Sequence, residues 1–557
     1  MEDLTGKAVQ FSNGRTGTII AQRPPMAFIL CDFSEWDETN NIVNDNENEG
    51  NNEIISILSK RSSVTVGNHL FGQVVDCQGN NIQITPAEDS IERAIFAPIP
   101  QIKDIALINE PLLTGTVMVD ALAPIGKGQN MLVIGQDSGV GQRDLLIGAI
   151  KSQLRNNSND QNRVKCVYAL TTQDTNERQE VLQKLKDEDL LDDIIVVAAR
   201  DHGVNGNKNV ISSAESITVA ATACSIAEAI ALSRGEDSFV VVDNIDDHKQ
   251  FWDWTTRVLV DIYGVDAVVK DDINGGASSE MRGFYSSLIQ RAGRFNVKNG
   301  GGSMTLSLIT NLEGKVGDDP DENISFKPED FEDSSEKIKQ RIAILVNKGI
   351  SLTPETLRKI QIPIPVASDS EQKRRLALQH VDDLISMSDG QIWFDETLHA
   401  KGQRPAIDPQ RSITRVGIGA DTPCRADAPA LRGLAGGLRF DFAQAASLEG
   451  AGKNSGAEKQ LLKRDSYLLA MHQDAGEVRS LSENCVVLLA SSSGLLDDII
   501  KQGGTAGSDL GSQKISSLLE YVWKSSPSTM QEIDETMDMS STTRTELETI
   551  IKQYLLS

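Results

Sequence analysis

The amino-acid sequence predicts a multidomain protein in three parts: a small antiparallel β domain or β-barrel at residues 1–95, a central α/β domain at 96–430 and a helical bundle at 431–557. Three patterns lead to this division. Residues 6–33 alternate short β-prone runs with Asn-Gly and Pro-Pro turn signals. From about Leu132 to Leu312, apolar β-branched runs alternate with amphipathic helical stretches, as in a parallel sheet covered by helices on both faces. Beyond Leu431 the apolar residues recur at helical spacing with few β-branched runs.

The first β-prone region, GKAVQFSNGRTGTIIAQRPPMAFILCDF, is interrupted by DETNNIVNDNENEGNNE at 37–53. That insert is rich in Asn and acid with almost nothing to bury, which predicts a disordered surface loop. The strand pattern resumes over 54–82. In the central domain the expected strands are 131–135 (MLVIG), 164–170 (VKCVYAL), 193–199 (DIIVVAA), 238–244 (SFVVVDN) and 303–310 (SMTLSLIT). The segment at 315–379 begins acidic and Pro-containing and then turns Lys-rich, so it reads as an insertion. Within the C-terminal part, SSPSTMQEIDETMDMSSTT (525–543) reads as an exposed acidic connector.

A chain of 557 residues is too long for one hydrophobic core. Its 54 Lys and Arg against 80 Asp and Glu give a formal net charge of −26, which repels phosphate backbones and anionic lipid and argues against nucleic acid as a partner. The six cysteines lie singly, with no CxxC pair, and read as reduced thiols. No uninterrupted apolar run approaches the roughly 18 residues of a membrane span, so any membrane role is expected through partners. The opening MEDLTGKAV has the pattern of neither a signal nor a transit peptide; the expectation is a cytosolic chain or a targeting segment outside this sequence.

The most informative stretch is GKGQNMLVIGQDSGVGQRDLLIGAI (126–150), a strand, a Gly-rich turn and an amphipathic helix. In a P-loop of this layout, backbone N–H groups cradle phosphates, a Lys reaches the β and γ phosphates, and a Ser or Thr hydroxyl binds magnesium. Gly139, Val140 and Gly141 keep the tight turn, but Gln142 and Arg143 stand where Lys and Ser/Thr belong, and Gly135 sits one residue too early. Losing one charge-assisted bond to phosphate costs about 1.5–3 kcal/mol, which argues against tight Mg-ATP binding. Arg143 is a substitute cation, but on the first helical turn it is rotated about 100° from the lost Lys. Asp243 ends the apolar run VVVDN, where a carboxylate at a strand's C-terminal edge holds magnesium or its bound water.

Beside these features, EPLLTGTVMVDALAPIGKGQ (110–129), CVYALTTQ (166–173), FYSSLIQRAGRFNVKNGGGSMTLSLI (284–309), SMSDGQIWFDETLHAKGQRPAID (386–408) and SITRVG (412–417) together resemble the α-subunit family of the rotary F-type ATP synthase nearly end to end. The resemblance implies an N-terminal β-barrel, a central RecA-like P-loop nucleotide-binding domain and a C-terminal helical domain. It implies ATP or ADP with magnesium as ligand, β-type subunits and a central-stalk subunit as partners, and membrane contact only through the complex. Gln173 matches the position where catalytic β subunits carry the Glu that polarises water; an amide is no general base at neutral pH, so the chain's own site is expected not to hydrolyse ATP. Arg415 matches the arginine that reaches into a neighbouring catalytic site, and Arg404 with Pro405 matches a nucleotide-proximal pair. Three segments depart from the family: 269–283 replaces a Pro- and Arg-rich loop, 37–53 and 315–379 have no counterpart, and Met1 falls inside the family's β domain.

Two functions follow. One is a non-catalytic, regulatory α-type subunit of a proton-transporting ATP synthase, peripheral to the mitochondrial inner membrane on its matrix side, or to a plastid or bacterial membrane. The other is a pseudo-ATPase paralogue with a structural or interaction role and no bound nucleotide.

Overall fold

The structure is a computed structural model that describes residues 3–12, 16–24, 26–31, 54–79, 90–136, 138–155, 163–172, 174–199, 208–263, 279–311, 341–342, 346, 380–416, 429–448 and 455–556. The acidic loop at 37–53, Gln173, Cys424 and nearly all of the 315–379 insertion lie outside the described residues.

The N-terminal strands are β1 (Lys7–Phe11), β2 (Thr16–Arg23), β3 (Met26–Cys31) and β4 (Ile54–Arg61), antiparallel in the order β3-β2-β1-β4. The strands β5 (Ser63–Val66) and β7 (Ile91–Ala94) form a separate antiparallel pair. The antiparallel pairing expected from the sequence is present, but the described strands do not close into a barrel. Between β5 and β7 the chain leaves this region: β6 (Gln73–Val75) joins the edge of the central sheet, pairing in parallel with β12 (Ile195–Ala198).

Two short strands, β8 (Pro111–Leu112) and β9 (Ile125–Gly126), pair just before the central sheet begins. That sheet continues with β10 (Asn130–Gly135), β11 (Lys165–Leu170), β13 (Asp237–Asp243), β14 (Gly293–Arg294), β15 (Ser303–Asn311), β16 (Gly390–Trp393) and β17 (Ile413–Thr414). Its order is β17-β16-β10-β15-β13-β11-β12-β6, with β14 alongside β15; β14 and β17 pair antiparallel and the rest parallel.

Every residue of β10 is buried, because alternate side chains serve opposite cores. After α1 (Val117–Leu122) comes α2 (Gln142–Arg155), with which Met131 and Val133 pack on one face; Leu132 and Ile134 pack on the other with α4 (Lys208–Ala229). The first core extends into the C-terminal helices, whose Cys485–Ala490 stretch is fully buried. Ser480 and Glu483 form a capping box that starts that helix, Leu481–Ser492. Asp120, almost wholly buried, ties the two parts: it accepts from the Thr114 and Gly115 amides, the Thr114 hydroxyl and Asn484.

The apolar helix running from Ser213 through Arg234 has a mean hydropathy of 1.5 over a membrane-length window that is 89% buried. It is long and apolar enough to span a bilayer, yet its burial against β11 and β13 makes it a core helix. The segment read as an exposed connector is also corrected: Pro527–Thr536 is a helix with Met530 and Ile533 fully buried. Glu532 and Glu535 are exposed and Asp534 accepts from the Ser482 amide and hydroxyl, while two apolar residues at i and i+3 provide a packed stripe.

Candidate functional site

The Gly-rich turn lies where parallel β10 ends and α2 begins, at the C-terminal edge of the sheet. Gly141 has φ +115°, a conformation L side chains rarely adopt, and a Cβ there would meet the Phe394 ring at 3.3 Å. Gln142 does not extend from the turn as a phosphate-binding Lys would. Its side chain is buried and folds back over Gly135, where an added Cβ would stand 1.7 Å from Gln142 Nε2. The early glycine thus leaves room for the residue that replaces the lysine.

A cavity of about 400 Å³ opens beside the turn, lined by Gly139, Val140, Gly141, Phe394, Arg404 and Pro405. The structure therefore brings the Gly-rich turn and the Arg404–Pro405 pair, more than 260 positions apart in sequence, to one site. The Arg404–Pro405 peptide is cis, and Arg404 Nη1 donates to the carbonyls of His399 at 2.9 Å and Gln403 at 2.8 Å. Asp144, Asp474 and Glu477 add carboxylates to the wall.

Asp243 lies one strand further along, at the end of β13, with its side chain 1% exposed. Arg143 grips it from α2: Nε donates to Oδ2 at 2.6 Å and Nη2 to Oδ1 at 3.1 Å. The Tyr168 hydroxyl, on β11, donates to Oδ2 at 2.5 Å. Arg143 Nη2 also donates to Glu177 Oε1 at 2.7 Å, and Glu177 is set in the first turn of α3 (Thr175–Asp187), whose N-cap is Asp174. Burial alone would lower the Arg143 pKa; the charge and hydrogen bonds of Asp243 reverse this and raise it. Burial, and then Asp243, push the Tyr168 phenol well above its ordinary value, so it stays a donor.

This geometry bears on the magnesium expected at Asp243. A hard cation needs several free oxygen ligands, and here both carboxylate oxygens are taken by Arg143 and Tyr168. Arg143 also removes the hydroxyl that a Ser or Thr would contribute. Among the described residues no group of three or more His, Cys, Asp or Glu is placed to hold a metal. Magnesium does not fit. The turn and cavity fit a nucleotide better, since the backbone curve and the Phe394, Arg404 and Pro405 wall survive.

Arg415 stands at the other end of the sheet. It is exposed just after β17, where its amide donates to Asp389 O at 2.8 Å and its Nη1 to Ser388 O at 2.6 Å. Asp389 in turn accepts from the amide and side chain of Asn130, the first residue of β10. Burial raises the Asp389 pKa, against the bond from Asn130 and the charge of Arg415. The Gly-rich turn follows the last residue of β10, so the six-residue strand separates the two sites by roughly 15–20 Å.

Sequence reasoning missed Tyr168, Glu177 and Phe394. Tyr168 looked like one more apolar member of a buried strand, and Glu177 like a first-turn acid favoured by the helix dipole. Phe394 lay in the quoted motif without a role.

Residues 115–258 match the nucleotide-binding domain of the ATP synthase alpha/beta family. The ATP synthase subunit alpha of Ehrlichia ruminantium (strain Gardel) is 25% identical over 505 residues, covering 89% of this chain and 80% of the relative. Subunit alpha 2 of Gluconobacter oxydans (strain 621H) is 27% identical over 450 residues, 78% of this chain and 70% of its own. For the subunit alpha of Acholeplasma laidlawii (strain PG-8A) the figures are 26% over 460 residues, 81% and 73%. A parallel sheet with a Gly-rich turn, a matching nucleotide-binding domain and similarity along most of the length identify the chain as a divergent relative of the ATP synthase α subunits.

Proposed function

We propose that the chain is a non-catalytic, regulatory α-type subunit of a proton-transporting ATP synthase, assembled with β-type subunits around a central stalk and supplying Arg415 to a neighbouring catalytic site. In this reading residues 1–95, 96–430 and 431–557 are the β, nucleotide-binding and helical domains, and the chain meets the membrane only through the complex. The relatives named above are bacterial, which supports a bacterial-type coupling membrane and lends none to the mitochondrial inner membrane.

The observation that carries the reading is the position of Arg415. It is exposed and lies at the opposite end of β10 from the chain's own Gly-rich turn, so its guanidinium serves another subunit's phosphates or none. A trans arginine that offsets charge on a transferring phosphoryl group is worth about 10³–10⁵ in rate. The test is steady-state ATP turnover by reconstituted complexes carrying wild-type or Arg415→Ala chain. The expected result is a loss of that order with assembly intact; unchanged turnover in verified hexamers overturns the role.

The Arg143–Asp243 pair favours a second reading, a pseudo-ATPase with a structural or interaction role. Isolation of the native synthase decides between them: α-like stoichiometry supports the first, and absence of the chain from the complex supports the second.

A further inference from the structure

The Asp243 carboxylate already has a cation. A guanidinium held by two bonds from Arg143, braced by Glu177 and backed by the Tyr168 hydroxyl, neutralises a side chain that water does not reach. A metal there would have to displace both bonds from Arg143, leaving the largely buried guanidinium with Glu177 alone, and would gain a single protein carboxylate in return. What remains of the phosphate machinery is the backbone turn at Gly139–Gly141, the part of a P-loop that cradles the α and β phosphates. The parts that reach the γ phosphate, the lysine and the metal, are the two that are replaced.

We propose that this site takes a nucleoside diphosphate without a divalent cation, with Arg143 standing permanently where a metal would otherwise act. The diphosphate lies against the Gly139–Gly141 turn and the base faces Phe394 and the Arg404–Pro405 wall. A third phosphate gains nothing here, because the strand-end cation is spent on Asp243 and Glu177. The inference rests on reading the 400 Å³ cavity as a nucleotide site.

Calorimetry of the full-length chain with ADP and with ATP, each in excess magnesium and in EDTA, tests it. The expected result is ADP binding at least as tight in EDTA as in magnesium, where much of the nucleotide is tied up as its magnesium complex, with no gain for ATP; a site that uses the metal would lose about tenfold or more in EDTA. Binding that requires magnesium overturns the metal-free inference and leaves the nucleotide site standing. No binding of either nucleotide in either condition overturns the nucleotide site itself. Electron paramagnetic resonance of Mn²⁺ added with ADP is an independent readout: no bound manganese is expected for the wild type, and bound manganese refutes the inference. Arg143→Thr, which frees Asp243 and restores a hydroxyl, is expected to create a manganese signal. The wild-type measurements decide the matter whether or not that variant folds.

Discussion

Arg291 donates to Glu228 at 2.6 Å with both side chains only 2% exposed, and Arg93 closes the other side of the same carboxylate at 2.7 Å. The trio fastens β7 and the end of the helix Ser279–Ile289 to α4, and Arg291 further donates to the carbonyls of Ile95 and Ala221. Burial would raise the Glu228 pKa, but the two arginines outweigh it and hold the carboxyl below its ordinary value. Arg291→Met leaves a buried charge underpaired and is expected to cost about 3–5 kcal/mol, read as a lowered midpoint in urea denaturation. Glu228→Gln, which leaves the buried Arg291 guanidinium and Arg93 without their shared counter-charge, is expected to cost at least as much.

Tyr168→Phe removes the hydroxyl that bonds Asp243 and keeps the ring. A bond to a buried carboxylate is worth about 1.5–3 kcal/mol, and thermal unfolding should show a loss of that size. An unchanged melting temperature would mean that Arg143 alone satisfies the carboxylate.

His248 is buried among Phe284 and Tyr285, and its pKa is lowered to about 3 by burial and by the neighbouring His380. An unfolded histidine titrates near 6.5, so below that pH the unfolded chain gains a proton that the folded chain refuses. The stability it contributes is therefore complete above about pH 6.5 and declines as pH falls, by about 2 kcal/mol at pH 5. Comparing wild type with His248→Phe at pH 7.5 and pH 5 should show the difference in stability moving by that amount in the variant's favour. A constant difference would mean that His248 titrates as if exposed.

For the isolated chain, Arg415→Ala should shift unfolding by under about 1 kcal/mol, because the guanidinium is exposed and bonds a single carbonyl. A larger loss in a thermal-shift assay would assign Arg415 to holding β16 and β17 together.

The five central strands expected from apolar runs are present as β10, β11, β12, β13 and β15, within two residues at each end. Strands buried on both faces announce themselves by composition. Gln73–Val75, Gly390–Trp393 and Ile413–Thr414 did not, since two to four residues carry no period and their place in the sheet comes from partners far away in sequence. At the site, the Gly-rich turn was legible because glycine reports backbone conformation directly. The cation on Asp243 was not: Arg143 follows Gln142 in the place of the P-loop hydroxyl, and its partner is a hundred residues away on another strand.

The placement of β10 has a consequence for how the chain is made. Leu132 is flanked by β15 on one side and on the other by β16, where its partner is Gln391, roughly 260 residues later in the sequence. At about 5–20 residues per second a ribosome takes on the order of 10–50 s to supply that neighbour. Until β15 is made the strand that leads into the nucleotide turn has two bare edges, from then until β16 it has one, and throughout its Met131–Val133 face lacks the Cys485–Ala490 helix that completes its core. Nascent chains halted before residue 390 would therefore be the species most in need of chaperones, and the finished sheet is closed by the last third of the polypeptide.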